Sequence, residues 1–553
     1  MSDIPLFRIS DPDALAIVDA TGEHSYGWLE TRSRARAAQL LGGGDDLRET
    51  RVGFLMDPGF EYAVTQWAIW RAGGIAVPLS PAHPAPELEY VIEDAGVEIL
   101  LATEPHDPML RPIAESRGLA YRCLAAGGYE VRPIMPLIDA EERGAALRAA
   151  EPAPLPPIDL GRRAQILYTS GTTGRPKGVA STHAHLDAQM RTLVDAWAWE
   201  PEDRLLHVLP LHHTHGIVNG LCCPLYAGGA VEFGGGFEAA RVWDRLASRD
   251  ITVFMAVPTV YVKLLRGWEE ADDFTRARWS KGTRRLRLMV SGSAALPVAV
   301  FKRWEQVTGQ RLLERYGMTE IGMGLSNPYA GERRPGTVGQ PLPGVEIRLV
   351  HPEDGRILAE GLEALDADPS GEIQVRGDTV FSEYWGRPEE TAAAFVDGWF
   401  RTGDEAVLER GYYRILGRQS VDILKSGGYK VSAVEIEELL RAHPGVSDCA
   451  VVGLSDEEWG DRIGAAVVME AGAWFVPDLV PAGAAGRDER ARAVATVLEP
   501  WLRDRLAPYK LPREWLCVED LPRNAMGKIQ KALVRELLEA TVDEGGGPDE
   551  ESE

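Results

Sequence analysis

The densest chemistry in the chain lies in ILYTSGTTGRPKGV, residues 166–179. A strand-like Ile166-Leu167-Tyr168 runs into Thr169, Ser170, Gly171, Thr172, Thr173 and Gly174, and Lys177 follows three residues later. Glycines let backbone N–H groups approach phosphate oxygens closely, the hydroxyls add donors, and the lysine adds charge. The spacing is not that of a P-loop, which needs Gly-x4-Gly-Lys-Ser/Thr. Taken alone, such a loop also reads as a flexible surface turn.

The elements that must position this loop follow an alternating pattern. Short β-rich runs (RVGFLM, AVPLS, EILLAT, RLLHVLP, ITVFMAVP, RLMVSGS) precede Ala/Leu/Arg-rich helical stretches. That alternation predicts an α/β fold with buried sheets. The Pro-rich EPAPLPPIDL (151–160) reads as a connector, and the pattern restarts after Gly417. The expected organisation is a large N-terminal domain of layered α/β subdomains (1–417), a small mobile α+β C-terminal domain (418–540) and a disordered acidic tail (541–553). Residues 471–490 read as a loop-like insertion. The 553 residues carry a net charge of −25, which argues against a general nucleic-acid binder. Five scattered cysteines without a CxxC pair give neither a disulfide framework nor structural zinc. No signal peptide and no uninterrupted apolar stretch of spanning length is evident, so a cytoplasmic location without a membrane partner is expected.

The string TSGTTGRPKG resembles the phosphate loop of the adenylate-forming superfamily, which includes acyl- and aryl-CoA synthetases, luciferases and peptide-synthetase adenylation domains. The resemblance runs over nearly the whole chain in the family's order, through RYGMTEIGMG (315–324), DGWFRTGD (397–404), GRQSVDILKSGGYKVSAVEIE (417–437) and PRNAMGKIQK (522–531). It implies an enzyme that joins a carboxylate to the AMP moiety of ATP and then transfers the acyl group to a thiol.

By that resemblance, residues 169–174 and Lys177 grip the β- and γ-phosphates. Thr319 reaches the α-phosphate, and Glu320 holds Mg²⁺, a hard cation that takes oxygen ligands. Asp404 accepts from the ribose hydroxyls with Arg418 supporting it. The backbone at Ser293, Ala294 and Ala295 and the pair Tyr316 and Gly317 line the adenine, although core packing is the rival reading for Tyr316, and Met318 is a further ATP-binding residue. Lys528 bridges the α-phosphate and the carboxylate. Ser426, Gly427, Gly428, Tyr429 and Lys430 line the coenzyme A tunnel after the C-terminal domain turns about a pivot within Gln419–Asp422.

His213, in LPLHHTHG, matches the family's acid-side histidine and joins Lys528, Thr319 and Glu320 as a catalytic candidate. In detail the motifs look like the malonyl-CoA synthetase group. Thr214, Met323 and the basic position after Pro-Thr-x-Tyr, here Lys263, carry over as acid-binding residues, with Arg287 a further candidate. Malonate has two carboxylates on one methylene, so a dry pocket that selects it must pair the far charge. Lys263 is the expected partner, unless it extends to solvent. Methylmalonate is also expected to be accepted. The alternatives are a CoA ligase for another short-chain or aryl acid, a stand-alone adenylation enzyme loading a carrier protein, and a non-catalytic acidic scaffold.

Overall fold

The protein is described from a computed structural model that covers residues 4–124, 131–133, 154–169, 175–367, 369–419, 421–426, 429–456, 459–470, 487–523 and 528–545. Among these residues the chain forms four sheets.

The first sheet is built on parallel strands Arg204–His207, Ala230–Phe233, Val253–Ala256, Leu288–Ser291 and Leu313–Met318. Val253–Ala256 and Leu288–Ser291 are buried along their whole length, as strands covered on both faces must be. After Met318 the chain reverses, and Gly322–Ser326 pairs antiparallel with Leu313–Met318. In the second sheet the hairpin Arg163–Thr169/Lys177–Thr182 is flanked at the edge by the short strand Glu383–Tyr384. The helix Phe60–Arg71 is buried at every residue except Glu61. Apolar character on all sides belongs to a helix enclosed by protein.

The third sheet is antiparallel and closes with Trp399–Glu409 against Tyr412–Arg418. The fourth begins at Ile423–Ser426 and carries the long pair Val446–Asp456/Gly460–Met469. Its residues form apolar clusters of their own around Ile436, Leu498 and Trp515, and around Leu454, Leu516 and Val534. The architecture is thus a large α/β unit followed by a small α+β unit with its own core.

Two boundaries differ from expectation. The helix Arg487–Arg503 takes in the last residues of the expected 471–490 loop, and 471–486 lie outside the described residues. The helix Lys531–Gly545 runs past 540, with Val534 and Leu538 buried one turn apart. The rest of the expected tail, 546–553, lies outside the described residues. No helix among the described residues is long and apolar enough to cross a membrane.

Candidate active site

The glycine-rich hairpin places Thr169 opposite Lys177, one at each mouth of the loop; Ser170, Gly171, Thr172, Thr173 and Gly174 lie outside the described residues. Its base is pinned by the Tyr90 hydroxyl, which donates to the Pro176 carbonyl at 2.7 Å. The Lys177 ammonium pairs with Glu390 and sits 5.1 Å from the centre of the Tyr384 ring. The Tyr384 hydroxyl donates to Glu320 Oε1 at 3.1 Å. Lys177, Tyr384 and Glu320 therefore form one line running inward. Glu320 is buried, and burial raises its carboxyl pKa against the opposing pull of the Tyr384 hydroxyl and Arg418.

Asp404 and Arg418 are cross-strand partners in the third sheet. Arg418 Nε donates to Asp404 Oδ1 at 2.8 Å, and the Tyr316 hydroxyl donates to Oδ2 at 2.6 Å. The structure thus gives Tyr316 a specific polar bond beyond core packing. Thr319 and Met318 follow half-buried. Gly317 is required for lack of space: a Cβ there would stand 2.2 Å from the Gly322 carbonyl oxygen and 2.6 Å from Met323 Cε. Lys528, from the C-terminal unit, comes within electrostatic reach of the same carboxylate. Desolvation by its surroundings and the Arg418 charge lower its pKa, while Asp422 and Asp404 oppose them. The site is therefore assembled from both units. It is separate from the cleft of about 580 Å³ lined by Glu405, Arg414, Ser432, Glu435 and Lys510.

The connector between the units is tied at both ends. Asp422 Oδ2 accepts from the Arg418 N–H at 3.0 Å, and Oδ1 accepts from Lys531 Nζ at 2.5 Å. Lys531 also reaches Glu437 at 2.7 Å. Ser420, within the expected pivot, lies outside the described residues. On the thiol side, Ser426 is buried and paired with Tyr429, and Gly427 and Gly428 lie outside the described residues. Tyr429 is exposed and stacks on Tyr509 at 4.3 Å, and the Lys430 backbone continues the strand.

On the acid side, Thr214 is buried at the start of a π-helix, His215–Cys222. Cys223 N–H donates to the Val218 carbonyl five residues back, which marks the wide turn. His213 lies against His212 with ring centres 4.0 Å apart and the rings tilted by 55°, and neither Nε2 has a hydrogen-bond partner. Burial holds the pKa of His213 down to about 4 and that of His212 to about 2, so both rings are neutral at pH 7. His215 Nδ1 lies 3.2 Å from Ser293 Oγ. Ser293 has a left-handed backbone, φ 70°, uncommon outside glycine. With Ala294 and Ala295 it forms an exposed rim, whereas Met323 is buried beneath Gly317.

Two expected cations fall elsewhere. Arg287 is removed from the acid-binding set, because its guanidinium forks onto Asp203, at 2.6 Å from Nε to Oδ1, and donates to the Trp197 carbonyl at 2.9 Å. Lys263 is exposed on the helix Pro258–Glu270, with its ammonium 5.7 Å from the centre of the Phe237 ring. The expectation that it extends to solvent describes this placement better than an inward partner does. Sequence reasoning missed Tyr384, Glu390 and His215. Nothing local in FSEYWGRPEE or LHHTHG says which side chains turn inward.

Two family models match the chain: "AMP-binding enzyme" over residues 10–385 and "AMP-binding enzyme C-terminal domain" over 435–528. The human protein named malonate–CoA ligase ACSF3, mitochondrial, is 45% identical over 554 residues, covering 95% of this chain and 90% of that one. Malonate–CoA ligase of Arabidopsis thaliana is 39% identical over 558 residues, covering 95% and 86%. The crystal structure of ATP-bound MatB from Rhodopseudomonas palustris superposes with a TM-score of 0.80 at 35% identity, covering 97% of this chain and 99% of that one.

Proposed function

The chain belongs to the AMP-binding enzyme family, and on that premise we propose that it is an ATP-dependent malonate–CoA ligase. The observation that carries the reading is the convergence of Lys177, Glu320, Asp404 and Lys528, from three sheets and the C-terminal unit, on one cleft. Relatives named as malonate–CoA ligases, similar over nearly their whole length, supply the acid.

In the first half-reaction a malonate carboxylate oxygen attacks the α-phosphorus of ATP. The bond from that phosphorus to the bridging oxygen breaks, and pyrophosphate leaves. Little covalent chemistry falls to the protein, so its task is positioning and charge. Residues 169–174 and Lys177 hold the outgoing phosphates, and ribose hydroxyls displace the Tyr316 hydroxyl or share Asp404 with it. Thr319 donates to the α-phosphate. Lys528 meets the negative charge that grows between phosphate and carboxylate, a contribution of about 2.7–4 kcal/mol for one well-placed donor. Mg²⁺ fits Glu320, because it is bound by one or two carboxylates plus phosphate oxygens, and when bound it supplies charge neutralisation. A buried carboxylate whose pKa is raised by burial suits a cation partner.

In the second half-reaction the thiolate of coenzyme A attacks the acyl carbon, and AMP leaves with the C–O bond electrons. Ser426, Gly427, Gly428, Tyr429 and Lys430 form the approach for the thiol. The neutral imidazole of His213, with Thr214 and Met323, bounds the acid.

Pyrophosphate release with malonate, methylmalonate, succinate and acetate, with and without coenzyme A, tests the reading. Malonate is expected to be best, succinate poor, and a thioester formed only with coenzyme A. Equal rates on acetate and malonate overturn the choice of acid, and failure to release pyrophosphate with any acid overturns the enzyme.

A further inference from the structure

The lysine that follows the glycine-rich loop is already engaged by an acid of the same chain. Lys177 pairs with Glu390, and its ammonium lies 5.1 Å from the centre of the Tyr384 ring. A carboxylate on a lysine that is to grip phosphate stands where a phosphate oxygen must come. Of the two adjacent acids at the start of the helix Pro388–Ala393, Glu389 is exposed, whereas Glu390 is half-buried against the lysine. Lys177 holds the Glu390 carboxyl below the usual carboxylate range, so it is ionised at neutral pH.

The frame that carries Glu390 is fixed to the loop's return strand. Glu383–Tyr384 pairs antiparallel with Val179 and Ala180, and the Trp385 N–H donates to the Gly178 carbonyl at 2.7 Å. The Tyr384 N–H donates to Thr391 Oγ1 at 3.0 Å, and the Thr391 hydroxyl donates to the Arg387 carbonyl at 2.8 Å, which ties the helix to that strand. Parting Lys177 from Glu390 therefore takes side-chain rotation and no shift of the backbone. A second cation stands on the same helix face. Arg387 Nη1 lies 3.7 Å from Glu390 Oε1, within ion-pair reach but longer than a hydrogen bond, at the i, i+3 spacing that brings helical side chains together. Its Nη2 is anchored, donating to Asp94 Oδ1 at 2.7 Å and to the Tyr90 hydroxyl at 3.4 Å. The guanidinium thus holds its position with one arm and offers the other. Glu390 sits between two cations, one on the loop and one on its own helix.

We propose that Glu390 is a displaceable counter-ion: it holds Lys177 while the site is empty, turns to Arg387 when the triphosphate of ATP takes the lysine, and competes for the lysine again as pyrophosphate leaves. The proposal rests on the ligase reading above, in which Lys177 holds the phosphates. Glu390 is a positioning residue, since it touches the lysine and not the reacting atoms. An uncontested ammonium binds the product diphosphate as well as the substrate. A carboxylate competing for it loosens both and favours release, a step that limits turnover in many enzymes.

The test measures the KM for ATP and the inhibition constant of inorganic pyrophosphate against ATP, with malonate and coenzyme A saturating, at low ionic strength and with rates read as thioester formed. The proteins are the wild type, Glu390→Gln, Arg387→Gln, the double variant and Lys177→Met. Glu390→Gln is expected to lower both constants about fivefold, the effect of a part-exposed ion pair, and salt at about 0.5 M to shrink the gap below about twofold. A merely structural role would raise the KM on removal, not lower it. Arg387→Gln is expected to raise both constants about threefold, because the displaced carboxylate has no partner to turn to, and the double variant to behave as Glu390→Gln does. Constants in Glu390→Gln that stay within about 1.5-fold of wild type, or that rise, overturn the proposal. So does an Arg387→Gln effect that persists in full in the double variant, which marks damage to the Asp94 anchor and not a lost receiver. Lys177→Met is expected to raise both constants about tenfold. If it leaves them unchanged, the lysine does not grip phosphate, and that part of the ligase reading falls together with the proposal, whereas failure of Glu390→Gln beside a working Lys177→Met result sinks the proposal alone.

Discussion

Replacing Lys531 by methionine probes the joint between the two units. The lysine is 13% exposed and holds two carboxylates, Asp422 at 20% and Glu437 at 7%. Removing one partner of a buried ion pair costs about 3–5 kcal/mol, because the remaining charges stay desolvated. Here the residual support is substantial. Asp422 keeps the Arg418 N–H at 3.0 Å, and Glu437 keeps the Val451 N–H at 2.9 Å and Arg441 at 3.4 Å. The low end, about 3 kcal/mol, is therefore expected. Adding Asp422→Asn removes the stranded charge, so the double variant should be more stable than the sum of the single losses implies, by about 1–3 kcal/mol. Burial favours the protonated form of Asp422, but Lys531 wins and holds its pKa below the unfolded value. That contribution is present above about pH 3.9 and fades as pH falls through the folded value. The gap between wild type and variant should accordingly narrow on acidification. Urea unfolding followed by tryptophan fluorescence reports on this unit, which holds Trp501 and Trp515. Losses that simply add, or a single variant within about 0.5 kcal/mol of wild type, would refute the reasoning.

Lys528→Ala should slow acyl-adenylate formation about 100- to 1000-fold while leaving thioester formation from a synthetic malonyl-adenylate within a few-fold, read by separate stopped assays of each half-reaction. Gly317→Ala should destabilise the fold by about 1–3 kcal/mol, since the carbonyl 2.2 Å from its Cβ is backbone and cannot rotate aside; a thermal melt and the ATP affinity check both effects. Stability should begin to fall below pH 6.5, partly offset by Glu314, whose carboxyl pKa is raised by burial to about 8 and so favours the folded state as pH falls from there toward its unfolded value. His207 and His213, held at about 4, and His212, at about 2, bind protons more readily unfolded than folded, so each adds a slope of up to about 1.4 kcal/mol per pH unit down to its folded value. Denaturant titrations at pH 7, 6 and 5 measure it, and a flat profile would contradict the burial of these rings.

The nucleotide half of the site was legible in the sequence because its parts are short strings whose internal spacing carries the geometry. The segment from Tyr316 to Glu320 is one strand end and its turn, so naming the string names the site. Asp404 and Arg418 were also found as strings, but their pairing across a hairpin is a matter of register. The acid half was less legible for a physical reason. Whether a cation serves a substrate depends on what else reaches it, and Arg287 is satisfied by Asp203, a residue 84 positions away. The alternation that predicted an α/β fold was correct for the buried strands. It missed the helical continuation to Gly545, because the acidic composition of 541–553 suggested a disordered tail.

The π-helix at His215–Cys222 gives the acid pocket an unusual route to change. An α-helix advances about 100° per residue, so deleting one residue from the wide turn would let it tighten and swing Thr214 and the histidine pair by roughly that angle. A single codon lost or gained there would redraw the pocket wall and leave the nucleotide grip on the neighbouring sheets untouched. Diversification among ligases of this build could therefore proceed by shifts in reading position along one short coil as well as by exchange of side chains.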